Sequence, residues 1–211
     1  MTSEPIPIGP RPPQQARSRA ALRKVLASAE HVLVTEGLDN FTMASVAEHA
    51  GVSIGALYHR FAGKEQLLDA VKDRMLTYLE EQLAQALAQA AEQDIAAVIA
   101  AYTATLATGF AETSQAIMLL MQRKGPASVA RGRQSLDTME GLFVKAASAH
   151  AGEVRHPDPG LAFVVLARTI TGACLHRTAT SDWWPGVSWQ SWQAEITAMG
   201  IRYLTVPGSP A

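Results

Sequence analysis

Hydrophobic residues recur every three or four positions along most of the chain, which is the spacing of one face of an α-helix. A first long helix is predicted from Gln14 to Gly37, with an apolar face formed by Leu22, Val25, Leu26, Ala29, Val32 and Leu33. Another begins at Gly63 and runs towards Ala90, with an apolar face formed by Leu67, Leu68, Val71, Met75, Leu76, Leu79 and Leu83. No segment alternates for long enough to indicate a strand, so the pattern predicts an all-α protein.

Two short helices joined by a tight turn are predicted between these long ones, in the segment TMASVAEHAGVSIGALYHRF. Thr42 can cap the first short helix, and Gly51 can end it in the left-handed conformation that residues with a Cβ atom avoid. Ser53 can then cap the second. This arrangement is a helix-turn-helix, whose second helix lies in the major groove of DNA.

The second short helix offers small and polar side chains for contact with DNA. Ile54 and Leu57 lie three residues apart and can face the core, and the others are Ser53, Gly55, Ala56, Tyr58, His59 and Arg60. Small residues let a backbone approach DNA closely, while the Tyr58 hydroxyl and the nitrogens of the last two suit phosphate oxygens. Ile54 or Ala56 can also touch thymine methyl groups, and DNA shape can contribute to recognition. Phe61 is expected in the core.

Basic residues flank this motif on both sides. The start of the first helix carries Arg11, Arg17, Arg19, Arg23 and Lys24, with no acidic residue from position 11 to 29. This run is one of two things. It is a basic arm that can reach DNA phosphates or a minor groove, or it is the solvated start of a helix. Lys64 lies at the first turn of a helix, where the helix dipole disfavours a cation, so a bound phosphate would relieve the conflict.

The residues from Arg17 to Leu79 resemble the tetracycline-repressor (TetR) family of bacterial transcriptional regulators. The matching positions are Gly37, Phe41-Thr42, Val46-Ala47, Ala50-Gly51-Val52-Ser53, Gly55-Ala56-Leu57-Tyr58, Phe61, Gly63-Lys64-Glu65 and Leu67-Leu68. The resemblance implies that the recognition helix runs from Ser53 to His59, and that phosphates are bound at Tyr58, Lys64 and Thr42. The family more often has histidine at Arg60, so this residue is either a phosphate contact or a helix-packing residue.

The composition is that of a globular protein with one or two domains, and it is not that of a disordered or fibrous protein. The 211 residues are 48% hydrophobic and carry a net charge of −1, so local basic patches rather than bulk charge favour DNA. The single Cys174 excludes an internal disulfide and favours a reducing compartment, so we expect the cytoplasm. The proline-rich start has no apolar core of signal-peptide type and predicts a disordered leader over residues 1–14. The uncharged stretch 95–111 is too short to span a membrane and indicates a buried helix.

The rest of the chain is predicted to form five further helices, at residues 94–111, 114–124, 128–150, 159–179 and 188–205. We expect a DNA-binding domain over residues 15–79, a helical domain over 80–206 and a tail over 207–211. The last two helices, from Leu161 to Cys174 and from Trp189 to Leu204, are more apolar than a one-sided surface helix requires. We therefore expect them to pack on a second subunit.

The resemblance implies that this C-terminal domain forms a homodimer through its last two helices and holds a small-molecule inducer. Residues suited to line such a pocket are Tyr102, Phe110, Met118, Met121, Phe143, Phe163 and Trp184, although each also suits an ordinary core. The scarcity of charge in these helices favours an apolar or amphipathic ligand.

No motif indicates an enzyme or a cofactor. Cys174 and His176 lie two apart and point to different sides of a helix, and a lone cysteine is usually a small buried hydrophobe. His150, Glu153, His156 and Asp158 fall in a Gly- and Pro-rich loop without the spacing of metal ligands. The sequence therefore predicts a ligand-responsive regulator of transcription that binds double-stranded operator DNA, with repression the commoner sign in the family. The alternative is a helical ligand-binding dimer that acts through a protein partner without specific DNA binding.

Overall fold

The computed structural model describes residues 14–112, 114–121 and 123–207, without the side chains of residues 14, 15, 17 and 114–117. Within these ranges the chain is helical and contains no strand, so the predicted all-α fold is confirmed. The helices are α1 Gln14–Asn40, α2 Met43–Ala50, α3 Ile54–Arg60, α4 Lys64–Ala90, α5 Ile95–Glu112, α6 Ser114–Met121, α7 Pro126–Ser148, α8 Pro159–Ala179 and α9 Trp189–Thr205. Short 3-10 turns lie at Ala151–Glu153 and Ser181–Trp183. The predicted leader and tail lie almost entirely outside the described residues.

Helix boundaries follow the glycines and prolines of the sequence. Gly37 interrupts α1 with φ 77° and ψ 177°, a conformation open essentially to glycine, and helical structure resumes as far as Asn40. Helix α7 begins at Pro126, two residues before the predicted start, because proline suits the first turn of a helix. Helix α6 ends at Met121 rather than at the predicted Lys124.

The chain divides into two compact units between Val71 and Lys72, within α4. In the first unit, α1, α2, α3 and the start of α4 bury one shared core. Its fully buried members are Ala29, Val32, Leu33, Phe41, Val46, Ala50, Leu57, Leu67, Leu68 and Val71. These are the apolar positions of the helical pattern, and they fix the orientation of the short helix α3.

In the second unit, α5 is the central helix and packs against α7, α8 and α9. Tyr102 of α5 contacts Phe143 of α7 with ring centroids 4.8 Å apart, and its hydroxyl lies 2.8 Å from the Thr171 hydroxyl of α8. Helices α5 and α8 are long and apolar enough to cross a membrane by composition alone. Core helices of globular domains share that property, and the large side chains of α5 are buried here.

The apolar faces of α8 and α9 are divided between this core and the surface. Ile170, Cys174, Trp192 and Leu204 are buried within the chain itself, so this part of the apolar surface belongs to the core of the subunit. That the two helices also pack on a second subunit stays a prediction. A second group on the same two helices remains exposed, and it comprises Leu161, Val165, Met199 and Tyr203.

Candidate nucleic-acid interface and effector cavity

Helix α2 begins at a reciprocal cap that involves Thr42. The Thr42 Oγ1 atom accepts a hydrogen bond from the Ser45 backbone N–H at 3.0 Å, and the Ser45 hydroxyl oxygen accepts one from the Thr42 N–H at 3.0 Å. The predicted cap is confirmed. The sequence interpretation missed Ser45, although a residue able to return a hydrogen bond three positions after a capping threonine is the signal of a capping box.

The turn between α2 and α3 has the predicted geometry. Gly51 adopts φ 62° and ψ 40°, and the Val52 N–H donates to the Ala47 carbonyl at 3.0 Å. Ser53 then caps α3, because its hydroxyl oxygen accepts a hydrogen bond from the Ala56 N–H at 3.1 Å. These local bonds set the direction of α3 independently of any bound DNA.

Helix α3 is anchored by one side chain and exposes the others. Leu57 is 1% exposed, whereas Ile54 is 47% exposed and Tyr58 is 53% exposed. The expectation that Ile54 faces the core was therefore wrong, because a helix of seven residues has room for a single buried position here. Ser53, Gly55, Ala56, His59 and Arg60 are also exposed.

Arg60 and Lys64 both tie the end of this motif to α1. The Arg60 guanidinium donates to the Ser18 carbonyl at 3.3 Å and to the Ser18 hydroxyl at 3.1 Å. The Lys64 ammonium donates to the Leu38 carbonyl at 2.8 Å and lies 5.8 Å from the centroid of the Phe41 ring. The Leu38 carbonyl therefore stabilises the Lys64 cation, which the helix dipole disfavours at this position. An ammonium group has three N–H donors, so Lys64 can still donate to a phosphate.

The remaining basic arm is described only in part. Arg19, Arg23 and Lys24 are exposed on α1, whereas the side chain of Arg17 and all of Arg11 lie outside the described residues. Phe61 is 6% exposed, which confirms its expected place in the core.

A histidine pair between α1 and α2 was not anticipated. The rings of His31 and His49 are stacked with centroids 4.6 Å apart. No local pattern could have indicated this contact, because the two residues lie on different helices and eighteen positions apart.

Comparison with known proteins identifies the motif. Residues 25–71 match the family of bacterial regulatory proteins called the tetR family. The helix-turn-helix segment of the chain is therefore of the tetR-family type. A match of 35% identity over 68 residues was found to the HTH-type transcriptional regulator BetI 2 of Chromohalobacter salexigens, covering 32% of this chain and 31% of that protein. The chain therefore spans less than a third of the length of this curated relative.

Solved structures show that the tetR-family likeness in fold extends beyond the DNA-binding motif. A structure described as a TetR-family transcriptional regulator from Mesorhizobium loti has a TM-score of 0.74 and 17% identity, and the match covers 92% of this chain and 99% of that one. A protein of unknown function from Rhodococcus sp. RHA1 has a TM-score of 0.69 and 24% identity, with 88% and 95% covered. At such identities the likeness concerns the fold alone.

In the C-terminal unit, two of the predicted pocket residues line a cavity. Its volume is about 20 Å³, and it is lined by Leu76, Leu79, Phe110, Met121, Gly132, Ser135, Leu136, Met139 and Leu175. That volume accommodates about one water molecule, whereas pockets for drug-sized ligands measure about 300–1,000 Å³. Ser135 is 1% exposed and its hydroxyl has no hydrogen-bond partner within the described residues.

The other predicted pocket residues have different surroundings. Tyr102, Phe143 and Phe163 are at most 2% exposed and belong to the core, and Met118 is half-buried. Trp184 is half-buried and lies against Arg177, with the guanidinium carbon 5.3 Å from its ring centroid. Their part in ligand binding stays a prediction.

The loop that was considered for a metal connects α7 to α8 and contacts the turn between α4 and α5. His150 Nε2 lies 3.1 Å from the Ala91 carbonyl and His150 Nδ1 lies 2.8 Å from Glu153, whose second carboxylate oxygen accepts a hydrogen bond from the Ile95 N–H. No group of three metal-ligating side chains occurs among the residues that the structure describes.

Proposed function

We propose that this protein is a bacterial transcriptional regulator that binds double-stranded operator DNA through α3, and that a small-molecule inducer releases it. The observation that carries the proposal is the exposure of α3. One buried leucine and two capped ends hold a seven-residue helix whose remaining side chains face outward. A helix held in this way suits insertion into a major groove. The naming of the relative from C. salexigens as a transcriptional regulator supports the same function.

Contacts to phosphate would come from residues that surround α3. The exposed Tyr58 hydroxyl, His59 and the first turn of α2 at Thr42 suit phosphate oxygens on one side, and Lys64 and Arg60 suit them on the other. Arg19 of α1 extends this basic surface, and a phosphate contact by Arg17 stays a prediction from the sequence. Lys64 and Arg60 already hold α1 in place, so we propose that they position the motif and bind phosphate with their remaining N–H donors.

Base recognition would rest on Ser53, Ile54, Gly55 and Ala56. None of these four side chains has the bidentate donor and acceptor pattern that distinguishes guanine or adenine. The exposed Ile54 suits a thymine methyl group, and Gly55 lets the helix backbone approach the bases. We therefore propose that methyl contacts and DNA shape supply much of the specificity.

The exposed apolar side chains of α8 and α9 support a homodimer. Leu161 is 55% exposed and Met199 is 63% exposed, and Val165 and Tyr203 accompany them on the same two helices. Helix-turn-helix proteins commonly bind two half-sites as two-fold dimers, and closed homodimers are the commonest oligomers. We propose that these helices form the subunit interface.

The inducer would bind in the C-terminal unit, at the cavity beside Ser135. Its lining is apolar except for that hydroxyl, which supports an apolar or amphipathic ligand with one hydrogen-bonding group. The cavity must enlarge to admit such a ligand, so the bound and free states differ. By linkage, an inducer that weakens DNA binding must itself bind less tightly to the DNA-bound protein. Such a regulator works in the cytoplasm.

The first test is binding of the purified protein to DNA fragments from around its own gene over a salt series. We expect selective binding that falls with salt and that weakens in Tyr58→Phe and Lys64→Ala. Candidate inducers can then be screened for release of the DNA. The alternative, a ligand-binding dimer that acts through a protein partner, predicts no selective binding by a dimer even at low salt.

A further inference from the structure

Arg177, in the last turn of α8, is a buried cation enclosed by three tryptophans. Its side chain is 5% exposed, and its guanidinium carbon lies 5.3 Å, 4.7 Å and 5.4 Å from the ring centroids of Trp184, Trp189 and Trp192. Aromatic faces attract a cation, but they carry no net negative charge. The indole rings therefore leave the charge of Arg177 without a counter-ion.

The hydrogen bonds of this guanidinium group are incomplete. Nη2 donates to the Val187 carbonyl at 2.7 Å, whereas Nε and Nη1 are buried and have no partner within the described residues. A buried charged group without its hydrogen bonds is costly, and a guanidinium group has five N–H donors to satisfy. An acceptor is thus missing at Arg177.

The neighbouring acidic groups do not supply that acceptor. In the part of the chain that the structure describes, no Asp or Glu forms an ion pair with Arg177. The carboxylate of Asp182, in the adjoining 3-10 turn, accepts a hydrogen bond from Ser181 instead. Cys174 lies one turn before Arg177, but burial raises the pKa of its thiol to about 12, so this group stays neutral.

Helix α9 adds a second feature that favours a negative charge. Trp189 and Trp192 belong to the first turn of this 17-residue helix and pack on the guanidinium group. The first N–H groups of a helix lack partners within the helix, and the helix dipole is positive at that end. The Ser188 hydroxyl caps only the Ser191 N–H at this end. Two positive features, the guanidinium group with its incomplete hydrogen bonds and the start of α9, therefore meet at one place.

We propose that Arg177 and the first turn of α9 form a binding site for a small monocarboxylate. One carboxylate neutralises one guanidinium charge, and its oxygens accept charge-assisted hydrogen bonds from the guanidinium N–H groups. The indole rings can cover a short alkyl chain on the acid. Because Arg177 is buried, the acid enters by displacement of residues between α8 and α9. The proposal concerns the protein without DNA and is independent of the proposed function.

The test is a titration of the full-length protein with sodium butyrate at constant ionic strength, with butyramide as the neutral counterpart. Tryptophan fluorescence reports on the site directly, because three of the four tryptophans surround Arg177. We expect a saturable change with butyrate, a rise in Tm with the same midpoint, and neither with butyramide.

Arg177→Met removes the charge and keeps an unbranched side chain, and Arg133→Met removes an exposed arginine as the matched control. We expect affinity for butyrate to fall about tenfold or more in the first variant and to be unchanged in the second. A response to butyramide equal to that with butyrate would overturn the proposal on the wild-type protein alone, so the test does not depend on the folding of a variant. The proposal would also be overturned if the wild type did not respond to butyrate and Arg177→Met no longer formed a dimer. The missing acceptor would then belong to a second copy of the chain.

Discussion

The Lys64 ammonium group lies 2.8 Å from the Leu38 carbonyl oxygen and joins the first turn of α4 to the chain just after the kink at Gly37. This bond connects the two ends of the helix-turn-helix segment, since α2 and α3 lie between these residues. The positive end of the α4 dipole disfavours a cation at Lys64, and the partial negative charge of a carbonyl near the end of α1 compensates for this. Lys64 is therefore a structural residue of the DNA-binding unit before any phosphate is considered.

Lys64→Met should reduce both stability and DNA binding. Loss of the bond to Leu38 should lower the free energy of unfolding by about 1.5–3 kcal/mol, as for a hydrogen bond from a charged group. If Lys64 also neutralises one phosphate, the slope of log K against log salt should fall by about 0.9. Urea unfolding and DNA titrations over a salt series measure the two effects. Lys145→Met, at an exposed site on α7, should change neither. An unchanged salt slope in Lys64→Met would show that the role of Lys64 is structural only.

Tyr58→Phe should weaken DNA binding without affecting the fold. The ring is 53% exposed and its hydroxyl forms no hydrogen bond within the described residues, so Tm should stay the same. A lost hydrogen bond to a phosphate should reduce affinity about tenfold, equally for specific and non-specific DNA. Tyr78→Phe is the matched control, because Tyr78 is 61% exposed on α4 in the other compact unit. Equal affinities for the Tyr58 and Tyr78 variants would exclude a phosphate contact by the Tyr58 hydroxyl.

Local features of the DNA-binding unit could be predicted from the sequence because they depend on neighbouring residues. Thr42, Gly51 and Ser53 act within three or four positions of themselves, so their roles follow from residue type and order. Ile54 was wrongly predicted to face the core. Hydrophobic spacing does not show which of two apolar residues is buried when a short helix packs on the core through a single turn. The Arg60 to Ser18 bond spans forty-two residues, and no spacing rule reaches that far.

The C-terminal unit shows the same division between local and distant information. The bounds of α8 were predicted correctly, because Asp158, Pro159 and the residues after Ala179 mark its ends. The enclosure of Arg177 by three tryptophans depends on how α8 and α9 cross, which the sequence does not reveal. Composition identified suitable pocket residues but could not separate Phe110, which lines the cavity, from Tyr102, which fills the core.

Gly51→Ala and Gly55→Ala should have opposite effects on stability. Gly51 has φ 62°, and an added Cβ atom would meet only the Lys24 ammonium at 3.5 Å, so the cost of about 1 kcal/mol or more comes from the backbone conformation. Gly55 is helical with open space around it, so alanine should stabilise α3 by up to about 1 kcal/mol. Urea unfolding measures both.

Measurement of DNA affinity then shows whether Gly55 is needed for the close approach of α3 to the bases or only for folding. Gly55→Ala should bind operator DNA more weakly although it is the more stable protein, because its methyl group would lie between the helix and the bases. Tighter or equal binding by this variant would contradict the proposed close approach of α3.

Stability should fall at alkaline pH because two buried acids are held in their protonated forms. Burial raises the pKa of Cys174 from 9.0 to about 12 and that of Tyr102 from 10.0 to about 12. The unfolded chain loses these protons at lower pH than the folded chain, so the folded state binds more protons above about pH 9 and stability decreases there. Urea midpoints between about pH 8 and pH 11 should show the decrease, and Cys174→Ala should make it shallower. Alkylation of Cys174 in the folded protein at about pH 8, as fast as in urea, would contradict the assigned burial.

Two serines of α7, each 1% exposed, should respond differently to replacement by alanine. The Ser128 hydroxyl accepts a hydrogen bond from the buried Lys72 ammonium at 2.9 Å, so Ser128→Ala should lower the free energy of unfolding by about 1.5–3 kcal/mol. The Ser135 hydroxyl has no partner within the described residues and faces the cavity, so Ser135→Ala should be at least as stable as the wild type. If an inducer binds there and hydrogen-bonds to Ser135, the same variant should release DNA only at higher inducer concentration. A loss of stability in Ser135→Ala equal to that in Ser128→Ala would instead show that this hydroxyl is satisfied in the ligand-free protein and is not held in reserve for a ligand.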